Sequence, residues 1–266
     1  MNGKIAIIGG GNLGASIAQG MIKSGFKQPQ DIIITRRNVA ALQPLQLAGA
    51  ITTDDNVYAV QNAEWIIFAV KPFQIAEIIG QLKAHLHADK HKIISVITGI
   101  WIKDLQELLS DKFTLFRAMP NTAIAINESM TCICSVNADR QENEDVSALF
   151  NQLGKSVIID EKLMDAATVL GACGTAYALR YIRANIQGGI EIGFSAKTAA
   201  LIAAQTVKGA ADLLLQQNRH PEEEIDKVTT PQGCTIAGLN EMEHRGFSSS
   251  LIRGITTSYK KIINDM

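Results

Sequence analysis

Glycines at positions 9, 11 and 14 follow directly on the apolar run Ile5-Ala6-Ile7-Ile8 and open a stretch with helical spacing through Ala15, Ile17, Ala18 and Met21. A strand that turns through Gly-x-Gly-x-x-Gly into a helix suits a pyrophosphate. The first glycine makes the tight turn, the second lets backbone approach the anion, and the third lets helix and sheet pack closely. The helix N-terminus then offers unbonded N–H groups and the positive end of its dipole. Gly9, Gly11, Asn12, Leu13 and Gly14 are the candidate dinucleotide contacts. The next apolar run, Ile32-Ile33-Ile34-Thr35, ends in Arg36 and Arg37, where an NAD enzyme places a carboxylate for the ribose 2′-hydroxyl. Planar guanidinium groups suit a 2′-phosphate instead, so Thr35, Arg36 and Arg37 point to NADPH, with NADH the weaker cofactor. Paired arginines in a loop also occur as plain surface charge.

Two more segments close apolar runs: Ala69-Val70-Lys71-Pro72 and Arg117-Ala118-Met119-Pro120-Asn121-Thr122. Strand-ending turns use the same residue types. If the runs are parallel strands, however, both segments lie with the glycine turn at the carboxyl edge of the sheet, where open α/β folds bind ligands. Other reactive residues have plainer readings. His85, His87 and His91 fall on a polar helix-to-loop stretch and read as solvated rather than as a metal cluster. Glu222, Glu223 and Glu224 read as acids in a first helical turn. Cys132, Cys134, Cys173 and Cys234 contain no Cys-x-x-Cys and read as buried free thiols in a reducing compartment. No metal is expected.

These candidates need a framework. Short β-branched runs at 4–8, 32–35, 65–70, 92–97 and 113–118 alternate with helical stretches, the pattern of a parallel sheet covered on both faces. Runs at 130–136 and 156–160 read as strands extending that sheet at its edge. Beyond residue 160 the composition shifts to Ala, Leu and Gly, and long helices are expected. Ser195 caps one, His220-Pro221-Glu222-Glu223-Glu224 begins another, and Gly246 fits just past a helix end. The expected fold is α/β, a Rossmann-type mostly parallel sheet domain over 1–160 followed by an all-α domain over 161–266.

The chain has 266 residues, 47% of them apolar and 19% charged, with 25 Lys+Arg against 26 Asp+Glu and a net charge of −1. That balance asks for neither nucleic acid nor an anionic membrane. The apolar run at the start is too short for a signal or a membrane span, and a soluble cytoplasmic protein is expected.

Gly-x-Gly-Asn-Leu-Gly at 9–14, Ala-Val-Lys-Pro at 69–72, Arg-Ala-Met-Pro-Asn-Thr at 117–122 and Thr230-Pro231-Gln232-Gly233-Cys234-Thr235-Ile236, in that order, resemble the pyrroline-5-carboxylate reductase family over nearly the whole chain. The resemblance implies NADPH-dependent reduction of 1-pyrroline-5-carboxylate to L-proline, the last step of proline biosynthesis. It also implies a helical domain that forms a homodimer or larger homo-oligomer, and Asn56 near the cofactor ribose. Ala69, Val70, Lys71, Pro72 and Asn121 join the cofactor candidates on the same ground. Two motifs depart from the family. Its Gly-Ser-Gly-Pro-Ala-Tyr reads Ala172-Cys173-Gly174-Thr175-Ala176-Tyr177, and its Ser-Pro-Gly-Gly-Thr-Thr reads Thr230-Pro231-Gln232-Gly233-Cys234-Thr235. Thr175 and Gln232 are where the substrate could be retuned.

Within that reading, the chemistry is hydride transfer to the C=N carbon of a cyclic imine. A protonated imine is already a strong electrophile, so the protein has mainly to orient it. Backbone N–H groups of Gly233, Cys234 and Thr235, where the loop enters a helix, suit the substrate carboxylate. The Thr235 hydroxyl is the candidate catalytic partner of the ring nitrogen, Thr230 a second contact, and Thr175 a further substrate residue. Threonines here also serve simply as helix caps. Two other functions use the same features: another NADPH-dependent imine or keto reductase, which would want a Lys or His acid in the helical half, and a non-catalytic NADP-binding regulator.

Overall fold

The computed structural model describes residue 1 and residues 3–264. The chain divides into two compact units, Met1–Ala172 and a second beginning at Cys173. Among the described residues the first unit contains eight strands: β1 (Ile5–Ile8), β2 (Ile32–Thr35), β3 (Ile51–Thr53), β4 (Trp65–Phe68), β5 (Lys92–Ser95), β6 (Thr114–Met119), β7 (Ser129–Val136) and β8 (Gly154–Ile158). Its helices are α1 (Asn12–Lys23), α2 (Gln43–Leu47), α3 (Asn56–Gln61), α4 (Ile75–Leu82), α5 (Ile102–Leu108), α6 (Arg140–Asn151) and α7 (Met164–Ala167).

The strands form one sheet in the order β3-β2-β1-β4-β5-β6-β7-β8. All neighbours are parallel except β6 and β7, which are antiparallel. Every residue of β1, β2 and β4 is buried, which explains why these strands are apolar without alternation: helices cover both faces. Successive side chains go to opposite sides. Ile5, Ile7, Ile34, Ile67 and Phe116 pack with Ile17, Met21 and Phe150 of α1 and α6. Ala6, Ile8, Ile33, Phe68 and Leu115 pack with Val60, Ile79 and Leu105 of α3, α4 and α5. The strand at 51–53 is an addition to the sequence reading, because three residues are too few to show periodicity.

Strand order reverses between β1 and β4. Register levels their carboxyl ends with that of β2, pairing Ile8 with both Thr35 and Phe68. That opening between diverging connections is where an open α/β sheet takes a ligand.

The second unit contains α8 (Gly174–Glu191), α9 (Ala196–Gln217), α10 (Pro221–Lys227), α11 (Cys234–His244) and α12 (Phe247–Asn264). Its helix ends follow local chemistry. Ser195 Oγ accepts from the Thr198 N–H at 3.2 Å, Pro221 opens α10 with three glutamates in the first turn, and Gly246, at φ +80, follows α11. Tyr177 and Ser258 hydroxyls, 2.6 Å apart, tie α8 to α12. This unit buries little apolar surface: Ala199 and Ala203 are its buried hydrophobic residues among those described, while Leu201, Ile192 and Leu215 are more than two-thirds exposed. By length and composition alone, α9 is apolar enough to cross a membrane.

Candidate active site

A cleft of about 970 Å³ lies over the carboxyl ends of β1, β2, β4 and β5. It is lined by Gly9, Gly11, Asn12, Leu13, Thr35, Arg36, Arg37, Asn56, Ala69, Val70, Lys71 and Pro72. The glycine turn is held by the end of β2: the Gly10 N–H donates to the Thr35 carbonyl at 2.6 Å, the Gly9 N–H to Thr35 Oγ1 at 3.3 Å, and Arg36 Nη1 to the Gly10 carbonyl at 3.0 Å.

Each glycine has a separate reason to be one. Gly9 sits at φ +112, and a Cβ there would lie 2.6 Å from the Ala69 carbonyl oxygen. At Gly14 a Cβ would lie 2.1 Å from the Gly9 carbonyl oxygen, so this buried residue lets α1 close onto β1 without facing a ligand. A Cβ at Gly11 would meet nothing within 4 Å. Gly11 is the N-cap of α1, no side chain caps the helix, and no acid stands in its first turn. The leading N–H groups of α1 therefore have no side-chain acceptor, and the space beyond Gly11 is open to an anion. With Arg36 and Arg37 exposed at the end of β2, the donor set fits a dinucleotide carrying an added phosphate.

Lining residues outside the sequence candidates include Asp54, Gln74, Glu77 and Ile78, together with Val96, Ile97 and Thr98 after β5. A signal for Val96 and Ile97 existed, since they end the apolar run at 92–97 that Thr98 follows, but the three form no motif. Asn121 is not among the lining residues. Its Oδ1 accepts from the Ala123 N–H at 3.0 Å, its Nδ2 donates to the Gly171 carbonyl at 3.3 Å, and its N–H donates to Ser129 Oγ at 3.0 Å. Those bonds brace the turn after β6.

In the second unit, residues 230–233 form a tight turn closed by a bond from the Gly233 N–H to the Thr230 carbonyl at 2.9 Å. Gln232, third in that turn, has φ +59, the conformation for which such turns prefer glycine. The other non-glycine residues with positive φ among those described are Asn127, Asn137 and Asn218, a type that tolerates it better. Gly233 is the N-cap of α11, with no side-chain cap and no acid in the first turn. A Cβ on it would lie 2.5 Å from Thr230 Oγ1. Cys234 and Thr235 are the first two residues of α11, Cys234 exposed and Thr235 half-buried, and Thr175 is the second residue of α8.

Two readings change. His91 is 1% exposed rather than solvated; its Nδ1 accepts from the His87 N–H at 2.9 Å, and burial lowers its pKa. Of the cysteines, Cys134 alone is buried and Cys234 is exposed. Burial, with Glu161 nearby, pushes the Cys134 thiol up to about 11.

The fold and the cleft define a nicotinamide-dinucleotide-dependent oxidoreductase with a Rossmann-type unit and a helical unit. Residues 4–99 match the family described as NADP oxidoreductase, coenzyme F420-dependent, and residues 161–264 match pyrroline-5-carboxylate reductase dimerisation. Pyrroline-5-carboxylate reductase 2 of Dictyostelium discoideum is 44% identical, over 98% of this chain and 92% of that protein. Pyrroline-5-carboxylate reductase 1 of the same organism is 45% identical over 97% of this chain, which spans 49% of its length. A solved pyrroline-5-carboxylate reductase from Coxiella burnetii superposes with a TM-score of 0.94 at 26% identity, covering 99% of this chain and 98% of that one. The chain belongs to the pyrroline-5-carboxylate reductase family.

Proposed function

We propose that the protein reduces 1-pyrroline-5-carboxylate to L-proline with NADPH. The observation that carries the reading is the uncapped start of α1 at Gly11, open to the cleft and flanked by Arg36 and Arg37 at the end of β2. Gly11, Asn12 and Leu13 would hold the pyrophosphate, Arg36 and Arg37 the 2′-phosphate, Asn56 the ribose, and residues 69–72 the wall beside β4. NADPH supplies the hydride taken up by the imine carbon, and the ring nitrogen finishes as a secondary amine.

The helical unit supplies the acceptor's site. The N–H groups of Gly233, Cys234 and Thr235 suit the carboxylate, because an uncapped helix start with no acid in its first turn favours an anion. The Thr235 hydroxyl is the proposed partner of the ring nitrogen, with Thr230 and Thr175 as further contacts. These threonines orient an electrophile rather than activate a weak one, so the reaction needs no strong base.

The apolar faces of the helical unit, α9 included, are those of a homodimer or larger homo-oligomer. The match of residues 161–264 to a dimerisation family supports a second copy rather than lipid as their cover. Mixing the purified protein with NADPH and 1-pyrroline-5-carboxylate tests the activity directly. Loss of NADPH absorbance above a heat-killed control is expected; no loss would favour a non-catalytic NADP-binding protein.

A further inference from the structure

Arg117 and Glu161 are not among the residues lining the cleft, yet they form a charged node one short span away from it, its guanidinium buried and its carboxylate about a quarter exposed. Arg117, within β6, is 2% exposed, and its Nη1 donates to Glu161 Oε1 at 2.8 Å. The same oxygen accepts from the N–H of Ile102, the first residue of α5, at 2.7 Å. The Arg117 guanidinium also lies over the Trp101 ring, with Cζ 5.0 Å from its centroid. Glu161 thus serves α5 as a cap supplied from a distant part of the chain. Such a pair adds little net stability, since desolvating the buried guanidinium offsets much of its attraction to the half-buried carboxylate; what it can do is fix geometry.

The geometry it fixes is the span Thr98-Gly99-Ile100-Trp101. Thr98 lines the cleft with Val96 and Ile97, the chain turns at Gly99 with φ +77, and Trp101 stacks on Arg117. Thr98 Oγ1 points to Met119 Sδ at 3.8 Å, so β6 anchors both ends of the span. Position along the cleft indicates what the span faces. With the 2′-phosphate at the end of β2 and the pyrophosphate at α1, the opposite half of the dinucleotide falls toward β4 and β5. We propose that Arg117 and Glu161 are positioning residues for hydride transfer, holding the Thr98–Trp101 wall against the nicotinamide half of the site. The proposal rests on the reading of the cleft as an NADPH site.

Glu161→Gln is the variant of choice, because its amide oxygen can still accept from Ile102 while the charge is lost; Arg117→Lys is its companion. A displaced wall costs orientation rather than adenosine contacts, so kcat should fall roughly tenfold or more while KM for NADPH stays within about twofold. Arg36→Ala should show the reverse pattern. A second readout needs no cofactor. Trp101 is one of two tryptophans, and the other, Trp65, is 3% exposed; acrylamide should therefore quench Trp101 more readily in Glu161→Gln than in the wild type. Wild-type kcat in that variant, a KM rise at constant kcat, unchanged quenching, or a kcat loss matched by loss of folded protein in circular dichroism would each overturn the proposal. A wild-type protein that fails to bind NADPH in a fluorescence titration would instead overturn the cleft reading beneath it.

Discussion

Arg36 Nη1 donates to the carbonyl oxygen of Gly10 at 3.0 Å, so the first arginine after β2 is tied to the glycine turn, while Arg37 stands exposed next to it at the edge of the cleft. The two arginines therefore have separable roles. A hydrogen bond between charged groups contributes about 1.5–3 kcal/mol, so Arg37→Ala should weaken NADPH by roughly 10- to 100-fold and leave NADH nearly unchanged. Arg36→Ala should weaken NADPH more than NADH but cost NADH a few-fold as well, because the turn loses a brace. Steady-state KM values for both cofactors check this. Equal losses with NADPH and NADH in both variants would place the 2′-phosphate elsewhere.

Gly11 and Gly14 should separate binding from folding. Alanine at 14 drives a Cβ to 2.1 Å from the Gly9 carbonyl, and relieving that clash by shifting backbone should cost about 1–3 kcal/mol. Thermal unfolding should show it as a lowered Tm. Alanine at 11 meets no atom within 4 Å, so its Tm should match the wild type while NADPH affinity falls. A lowered Tm in Gly11→Ala with intact binding would contradict this assignment.

For the loop at 230–235, Gly233→Ala sets a Cβ against Thr230 Oγ1 and should raise KM for the imine substrate with little change in NADPH binding. Thr235→Ala should lower kcat by roughly 10- to 100-fold and Thr235→Ser should restore most of it, the range expected when one oriented hydrogen-bond partner is lost. A Thr235→Ala enzyme with wild-type kcat would leave that hydroxyl only a capping role.

Cys134 makes a prediction about pH. Its folded pKa, about 11, lies above the ordinary 9.0, so the fold favours the neutral thiol. The stability this contributes is fully present below pH 9 and is lost as pH rises through 11. The loss is on the order of 3 kcal/mol for a shift of this size. Denaturant unfolding from pH 8 to 11 should show a shallower decline in Cys134→Val than in the wild type; parallel declines would mean the thiol does not titrate in this range.

The exposed leucines of α9 should govern assembly. Leu201 and Leu215 are 71% and 73% exposed in the single chain, and Leu201→Glu should shift the mass measured by light scattering toward the monomer. An unchanged mass would place the contact on other helices.

The framework was legible wherever its cause is local. The strand, glycine turn and helix at 5–23 are written in neighbouring residues, as are Arg36 and Arg37 after β2, the Ser195 cap, the Pro221 start and Gly246 beyond α11. Each depends on the backbone within a few positions, which sequence order preserves. What escaped depends on contacts between distant residues. The strand at 51–53 exists because β2 offers it an edge. Thr98 reaches the cleft because β5 lies beside β4. His91 is buried by what packs over it, although its own neighbours are polar. Asn121 belongs to a motif but bonds the turn after β6. The sequence by itself determined a strand, a dinucleotide turn and a helix, two arginines at the end of the next strand, and long helices in the second half. Only the tertiary structure decided which residues wall the cleft and that Arg117 meets Glu161, because those pairings arise from strand order and helix packing over separations that no local pattern encodes.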